Sequence, residues 1–329
     1  MKNSFKPYVL SAVASVVLLS VGTTSLQAIN ECGVAPGGTI ICSNPSYGTG
    51  IDYYEQAASP ISPNTLILNN SNMVVYSKGV NVGNYGYVAA DVTIQANAFK
   101  SIITTVNGLD GRGFTVSTAG DATVHANGGS ISTIGELYAG ARSIGILVES
   151  KGPTAIPSGK GAAIVTLQDT NVTTKGKDTY AIYALNGSSS TKASIDINNS
   201  IIRTTGIGAT ALFTNISTVG NTSDSSIAVH GNSIVDTNNS SAHAIDARSQ
   251  AGLAKVSVDA GGQIITRGTG SYAISAVSNQ AAGGVMVTNA GTLISSLADG
   301  INAIGRNGGT TIINTGSITG GASGMYAQN

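Results

Sequence analysis

The chain repeats itself, and the length of the repeat restricts the fold more than any other feature. From about residue 65 a short alternating apolar stretch is followed by Asn or Asp, a turn of small residues and a second alternating stretch. ADVTIQAN (90–97) and GDATVHAN (120–127) share Asp, Thr, Ala and Asn at matching places. The turn position is marked by Asn69, Asn97, Asn127, Asp169, Asn198, His230, Asp259, Asn289 and Asn314. These lie 25 to 32 residues apart, except for one interval of 42. A third apolar stretch often follows, as in Ala181-Ile182-Tyr183-Ala184, Ala211-Leu212-Phe213-Thr214, Ala244-Ile245-Asp246-Ala247 and Ala273-Ile274-Ser275-Ala276.

Periods of 20–50 residues specify solenoids, propellers or arrays. Helical repeats need an apolar period of 3.6, which does not persist here. Propeller blades need four strands and carry a tryptophan signature, whereas this chain has no Trp. Three short strands rich in Val, Ile and Thr per unit, divided by Gly, Asn and Ser turns, predict an all-β right-handed parallel β-helix. Nine such rungs, about 4.8 Å apart, would give a rod of roughly 38 Å. Ile, Val, Leu and Ala are expected inside, with Ser, Thr and Asn facing water. The Asn at the first turn are expected to bond from rung to rung, as in stacked Asn ladders.

Composition narrows the function. Charged residues make up 10% of the 329, with 16 basic and 16 acidic, so no basic excess exists to collect phosphates and nucleic acid is not an expected partner. At 41% hydrophobic and zero formal net charge, wholesale disorder is excluded. The 43 Gly show no three-residue period, which excludes collagen.

Residues 1–28 read as a secretory signal. Lys2 and Lys6 precede an apolar run from Val9 to Gly22, shorter than the roughly 20 residues of a spanning helix. TTSLQA then places cleavage after Ala28. Residues 29–64 read as an N-terminal cap and 65–329 as the β-helix. Export permits a disulfide between the only two cysteines, Cys32 and Cys42. A turn at Pro36-Gly37-Gly38 would bring them opposite one another in a hairpin, within disulfide reach.

The signal segment, ECGVAPGGTIIC, GTGIDYYEQ and the degenerate Asn-centred rungs together resemble the passenger domain of bacterial autotransporters, of the pertactin-like type. The resemblance covers about residues 31–329. It implies a Gram-negative envelope, export through the inner membrane, display at the outer membrane and cell surface, and an adhesive or structural role linked to virulence. The implied partners are a host-cell surface or matrix component, or other bacterial cells. Family members are carried outside by a C-terminal barrel. This sequence ends at GMYAQN without one, and is read as a passenger truncated at its C-terminal end, with Ile313, Ile318 and Met325 at an open interior. Made alone, it is expected to stay in the periplasm.

Secreted polysaccharide lyases and hydrolases also use β-helices, so an enzyme is the rival reading. Such enzymes need clustered carboxylates. The best pair, Asp91 and Asp121, sits at strand entries, where Asp serves as a turn residue. His125 and His230 lie about three rungs, roughly 14 Å, apart, too far to share a metal. His243 sits at the entry to a third strand. Tyr47, Tyr53, Tyr54, Tyr76, Tyr85 and Tyr87 suit an end cap, with binding as the alternative. The long interval contains 149–161, a Pro- and Gly-bearing loop leaving the rod. No catalytic residue, cofactor or metal is assigned.

Overall fold

A computed structural model describes residues 32, 38–48, 50–55, 65–75, 78–84, 91–106, 111–135, 143–151, 161–188, 190–280, 283–306 and 308–329. Every regular element among them is a strand. The strands form three parallel sheets of ten, nine and ten members, here A, B and C. From the second rung on, each rung contributes one strand to each sheet in turn. Rung 5 is Ala163–Gln168, Asn171–Lys175 and Tyr180–Asn186. Successive rungs pair in register, so the chain is a right-handed parallel β-helix.

The ladder begins before residue 65. Thr39–Cys42 pairs with Thr65–Asn69, Ile51–Glu55 pairs with Lys78–Asn84, and Tyr47 bridges to Met73. Rung 1 therefore lies inside the segment read as a cap. Ten rungs span nine spacings, about 43 Å rather than 38. Cys32 and Cys42 form the disulfide, with Cα atoms 5.4 Å apart. The hairpin turn expected between them lies outside the described residues. Cys42 itself ends a parallel strand of sheet A.

The turn row departs from the expected register at two places. Asn69, Asn97 and Asn127 are register partners, but the next member is Gln168, not Asp169. Asn289 likewise pairs with Val258, not Asp259. Asp169 belongs one step further on, with Asn70, Ala98, Gly128, Asn199 and Gly231. All six adopt φ between 47° and 75°. That left-handed conformation lets the chain turn between sheets A and B while the amides of Asn70, Ala98, Gly128, Asp169 and Asn199 donate to the next rung. Asn70 donates to the Asn97 carbonyl, Gly128 to Gln168 and Asp169 to Asn198. Only Gly, Asn and Asp visit this region at low cost, which is why they mark the repeat. Of the expected Asn ladder, one link is direct: Asn289 Nδ2 donates to Asn314 Oδ1 at 2.7 Å. In rungs 5–7 hydroxyls do the stitching. The Thr170 amide donates to Ser200 Oγ and the Ser200 amide to Ser233 Oγ, both at 3.1 Å.

The interior is a continuous apolar column flanked by a polar one. On sheet B, Met73, Ile102, Ile131, Val172, Ile202, Val235, Ile264 and Leu293 are all essentially inaccessible. Two residues further along the same strands lie Thr104, Thr133, Thr174, Thr204, Thr237, Thr266 and Ser295, also fully buried. Threonine was expected to face water. The two-residue period puts these seven inside instead, because the residues two before them are the core aliphatics. In the tenth rung, Ile312 pairs with buried Val287 and faces inward, while Ile313 points out and is 45% exposed. Ile312, not Ile313, thus belongs with Ile318 and Met325.

Small residues hold sheet C against sheet B. Gly113, Gly145, Ala181 and Ala211 occupy corresponding places at the strand entry. A Cβ on Gly145 would come 2.5 Å from both the Ala181 carbonyl and Val172 Cγ1. At Gly113 and Gly145 there is no room for a Cβ, and further on the column carries nothing larger than the methyl groups of Ala181 and Ala211, so the strand can close on the core.

Candidate functional site

The outward face of sheet C concentrates the aromatic side chains of the middle rungs. The residue two beyond each small entry residue points outward. That rule places Leu147, Tyr183, Phe213 and Asp246 in one column on successive rungs. Leu147, Phe213 and Asp246 are buried even though they face away from the core, while Tyr183 is half-buried. A second column at the strand entry runs Tyr180, Thr210, His243 and Tyr272.

The rings form a continuous platform. Tyr180 stacks on Phe213 with centroids 5.3 Å apart and planes 15° apart, and Tyr183 packs 4.8 Å from Phe213. The Arg248 guanidinium lies 5.3 Å from the Phe213 centroid, in cation–π range. It grips Asp246 with three hydrogen bonds: Nε donates at 3.1 and 3.0 Å and Nη2 at 2.7 Å. Asp246 is 1% exposed, so this carboxylate depends on its partner. Burial alone would lower the Arg248 pKa. The hydrogen bonds and charge of Asp246, with Tyr180 and Tyr183, outweigh it and raise the value, which holds the guanidinium charged. Half of the Arg248 side chain, 48%, reaches solvent.

Beside this platform His243 stacks on Tyr272, centroids 5.1 Å apart and ring planes nearly parallel at 5°. The Tyr272 amide donates to His243 Nδ1 at 3.2 Å. Burial pushes the His243 pKa below its usual value, opposed by Asp246 and reinforced by Arg248. The ring is neutral at pH 7 and Nδ1 is an acceptor. The site thus joins flat apolar faces to one fixed cation, a composition suited to gripping a partner surface.

The residues singled out in the sequence fall elsewhere. Asp91 Oδ1 accepts the Asp121 amide at 2.9 Å, and Asp121 Oδ1 accepts the Ala162 amide at 2.6 Å. Asp224 and Asp299 do the same for Leu253 and Ser323. These carboxylates bind the strand entry of the next rung. His125 and His230 stand on rungs 4 and 7 of sheet A, as the spacing predicted. His230 instead lies between two carboxylates, 2.7 Å from Asp259 and 3.6 Å from Asp196, in an exposed row. Among the described residues no group of three His, Cys, Asp or Glu could hold a metal. Tyr47 and Tyr53 are buried in the first rung. Tyr54 lies in a strand; Tyr76, Tyr85 and Tyr87 fall outside the described residues, as do Ala28 and most of 149–161.

The platform was missed because its members are spread from residue 180 to 272. The signal existed: counting two and four residues on from the Ala of Ala211-Leu212 and Ala244-Ile245 reaches Phe213, Asn215, Asp246 and Arg248. Compared with known proteins, the chain matches no family model, no curated protein and no solved structure.

Proposed function

We propose that this chain is an exported β-helical passenger of the autotransporter kind, adhesive in role, and that it engages its partner through the outer face of sheet C. The observation that carries the adhesive reading is the Tyr180–Tyr183–Phe213 platform with Arg248 over its edge. Tyr and Arg dominate binding hot spots because each offers a large contact area with few torsions to freeze or a fixed fork of donors. The export signal and the repeat support the passenger reading. A host-cell surface, a matrix component or a neighbouring bacterium is the partner in this account, and the location is the cell surface when a barrel is supplied.

The test is binding of the purified chain to immobilised matrix glycoproteins and to intact host and bacterial cells. Tyr183→Ala should weaken binding by about thirtyfold, the equivalent of a hot spot of about 2 kcal/mol. A surface control, Lys255→Ala on sheet A, should leave it unchanged. Binding that survives Tyr183→Ala and Arg248→Ala together would overturn this site assignment.

A further inference from the structure

Seven hydroxyls run up the interior corner between sheets B and C, and they divide into two kinds. In rungs 7–9 each is bonded to a turn carbonyl. Thr237 Oγ1 donates to the Ala242 carbonyl at 2.8 Å, Thr266 Oγ1 to Ser271 at 2.8 Å, and Ser295 Oγ to Ser271 at 2.9 Å. In rungs 3–6 the register continues through Thr104, Thr133, Thr174 and Thr204. These four are at most 1% exposed, and none of their hydroxyls has a hydrogen-bonding partner among the described protein groups. Four adjacent buried hydroxyls without partners would be a heavy burden on a rod this narrow, since such groups are nearly always bonded.

We propose that this corner binds a single file of ordered water molecules, one in each of the three gaps between Thr104, Thr133, Thr174 and Thr204. The rung spacing fits the ligand. Hydroxyls about 4.8 Å apart are too distant to bond directly. A water about 2.8 Å from each closes the gap with an O···O···O angle of about 120°, close to tetrahedral. A threonine hydroxyl has one donor and two acceptor sites. Thr133 and Thr174 can therefore each donate to the water on one side and accept from the water on the other, and Thr104 and Thr204 each bond the one water beside them, so the file runs in one direction and every hydroxyl gains at least one partner. Ser143 adds a further polar group in rung 4. Its Oγ is fully buried, likewise without a partner, and packs against Gly135, two residues beyond Thr133. The file is bounded at both ends: Val75 occupies the same column one rung before Thr104, and Thr237 is already bonded to Ala242 one rung after Thr204.

A crystal structure at a resolution that shows ordered water tests the file directly. Three oxygen peaks, each bridging two threonines, are expected; hydroxyls turned onto backbone carbonyls, or an empty corner, would overturn it. Thr174→Val gives an independent sign. Valine fits the column, as Val75 shows. If the corner is hydrated, two waters lose a partner and the unfolding midpoint falls. If it is dry, removing an unpaired hydroxyl raises the midpoint, which contradicts the proposal. Should Thr174→Val fail to fold, counting long-lived internal water in the intact chain by magnetic relaxation dispersion decides the matter: three or more such waters support the file, and fewer than three oppose it.

Discussion

Single residues in this protein are selected by where the rung places them. Ala98 holds a left-handed φ of 48° with no side-chain compensation, while its neighbours in the column are Asn70 and Gly128. Relieving a left-handed penalty of roughly 1–2 kcal/mol outweighs the extra chain entropy of glycine, roughly 0.4–1 kcal/mol. Ala98→Gly should therefore stabilise the protein slightly, by about 0.5 kcal/mol in a denaturant titration. Gly231→Ala should do the reverse. Its new Cβ would fall 2.3 Å from Asn199 Oδ1 and 2.5 Å from Asn198 Oδ1, at a φ of 59°, and the loss is expected at about 1–3 kcal/mol. His243 supplies a pH dependence. Its folded pKa lies below the ordinary 6.5 because burial disfavours the charged form. In the window below 6.5 the unfolded chain binds the extra proton first, so stability present above pH 6.5 is lost as pH falls toward the folded pKa. Protonation also removes the acceptor for the Tyr272 amide. Between pH 7.5 and 5.5 the thermal midpoint should drop more for the native chain than for His243→Gln; equal slopes would exclude the ring as a source.

At the level of the strand, alternation carried the sheet assignments and failed where both faces are buried. Sheet A strands such as Ala163–Gln168 alternate buried and half-buried, and the sequence pattern finds them. Arg112–Thr118 is buried at six consecutive positions, so alternation gives no outward side to read. The platform sits on such strands, which is why Phe213 and Asp246 pass for core. The turn row was legible to within one residue. Asp169 slipped because both the strand end and the left-handed position favour Asn and Asp, and composition cannot separate adjacent sites with the same preference. The threonine column was hidden for a different reason: a hydroxyl's burial depends on the phase of its strand, not on its own polarity. The cysteine pair shows a local constraint. Closing a loop of this size restrains the unfolded chain by roughly 3 kcal/mol. Replacing Cys32 and Cys42 with Ser should loosen Thr39–Cys42 while the distant rungs keep their amide protection in hydrogen exchange, because rungs interact mainly with neighbours.

For the whole molecule, the in-register parallel stack is the claim on which the rest stands: the platform, the interior hydroxyl file and the strand-entry carboxylates exist only if each residue sits above its counterpart. Disulfide trapping measures that register. Ser194 and Ser226 are partners on adjacent strands of sheet A, both half-buried on the outward face. The native cysteines are already paired, so two new thiols report without interference. Parallel neighbours stand about 4.8 Å apart, inside the range a disulfide spans. Ser194→Cys combined with Ser226→Cys should close under mild oxidation and leave no free thiol. Ser194→Cys combined with Ala228→Cys, two residues out of register, should stay reduced. Closure of the second pair in preference to the first, or of neither, would contradict the parallel stack.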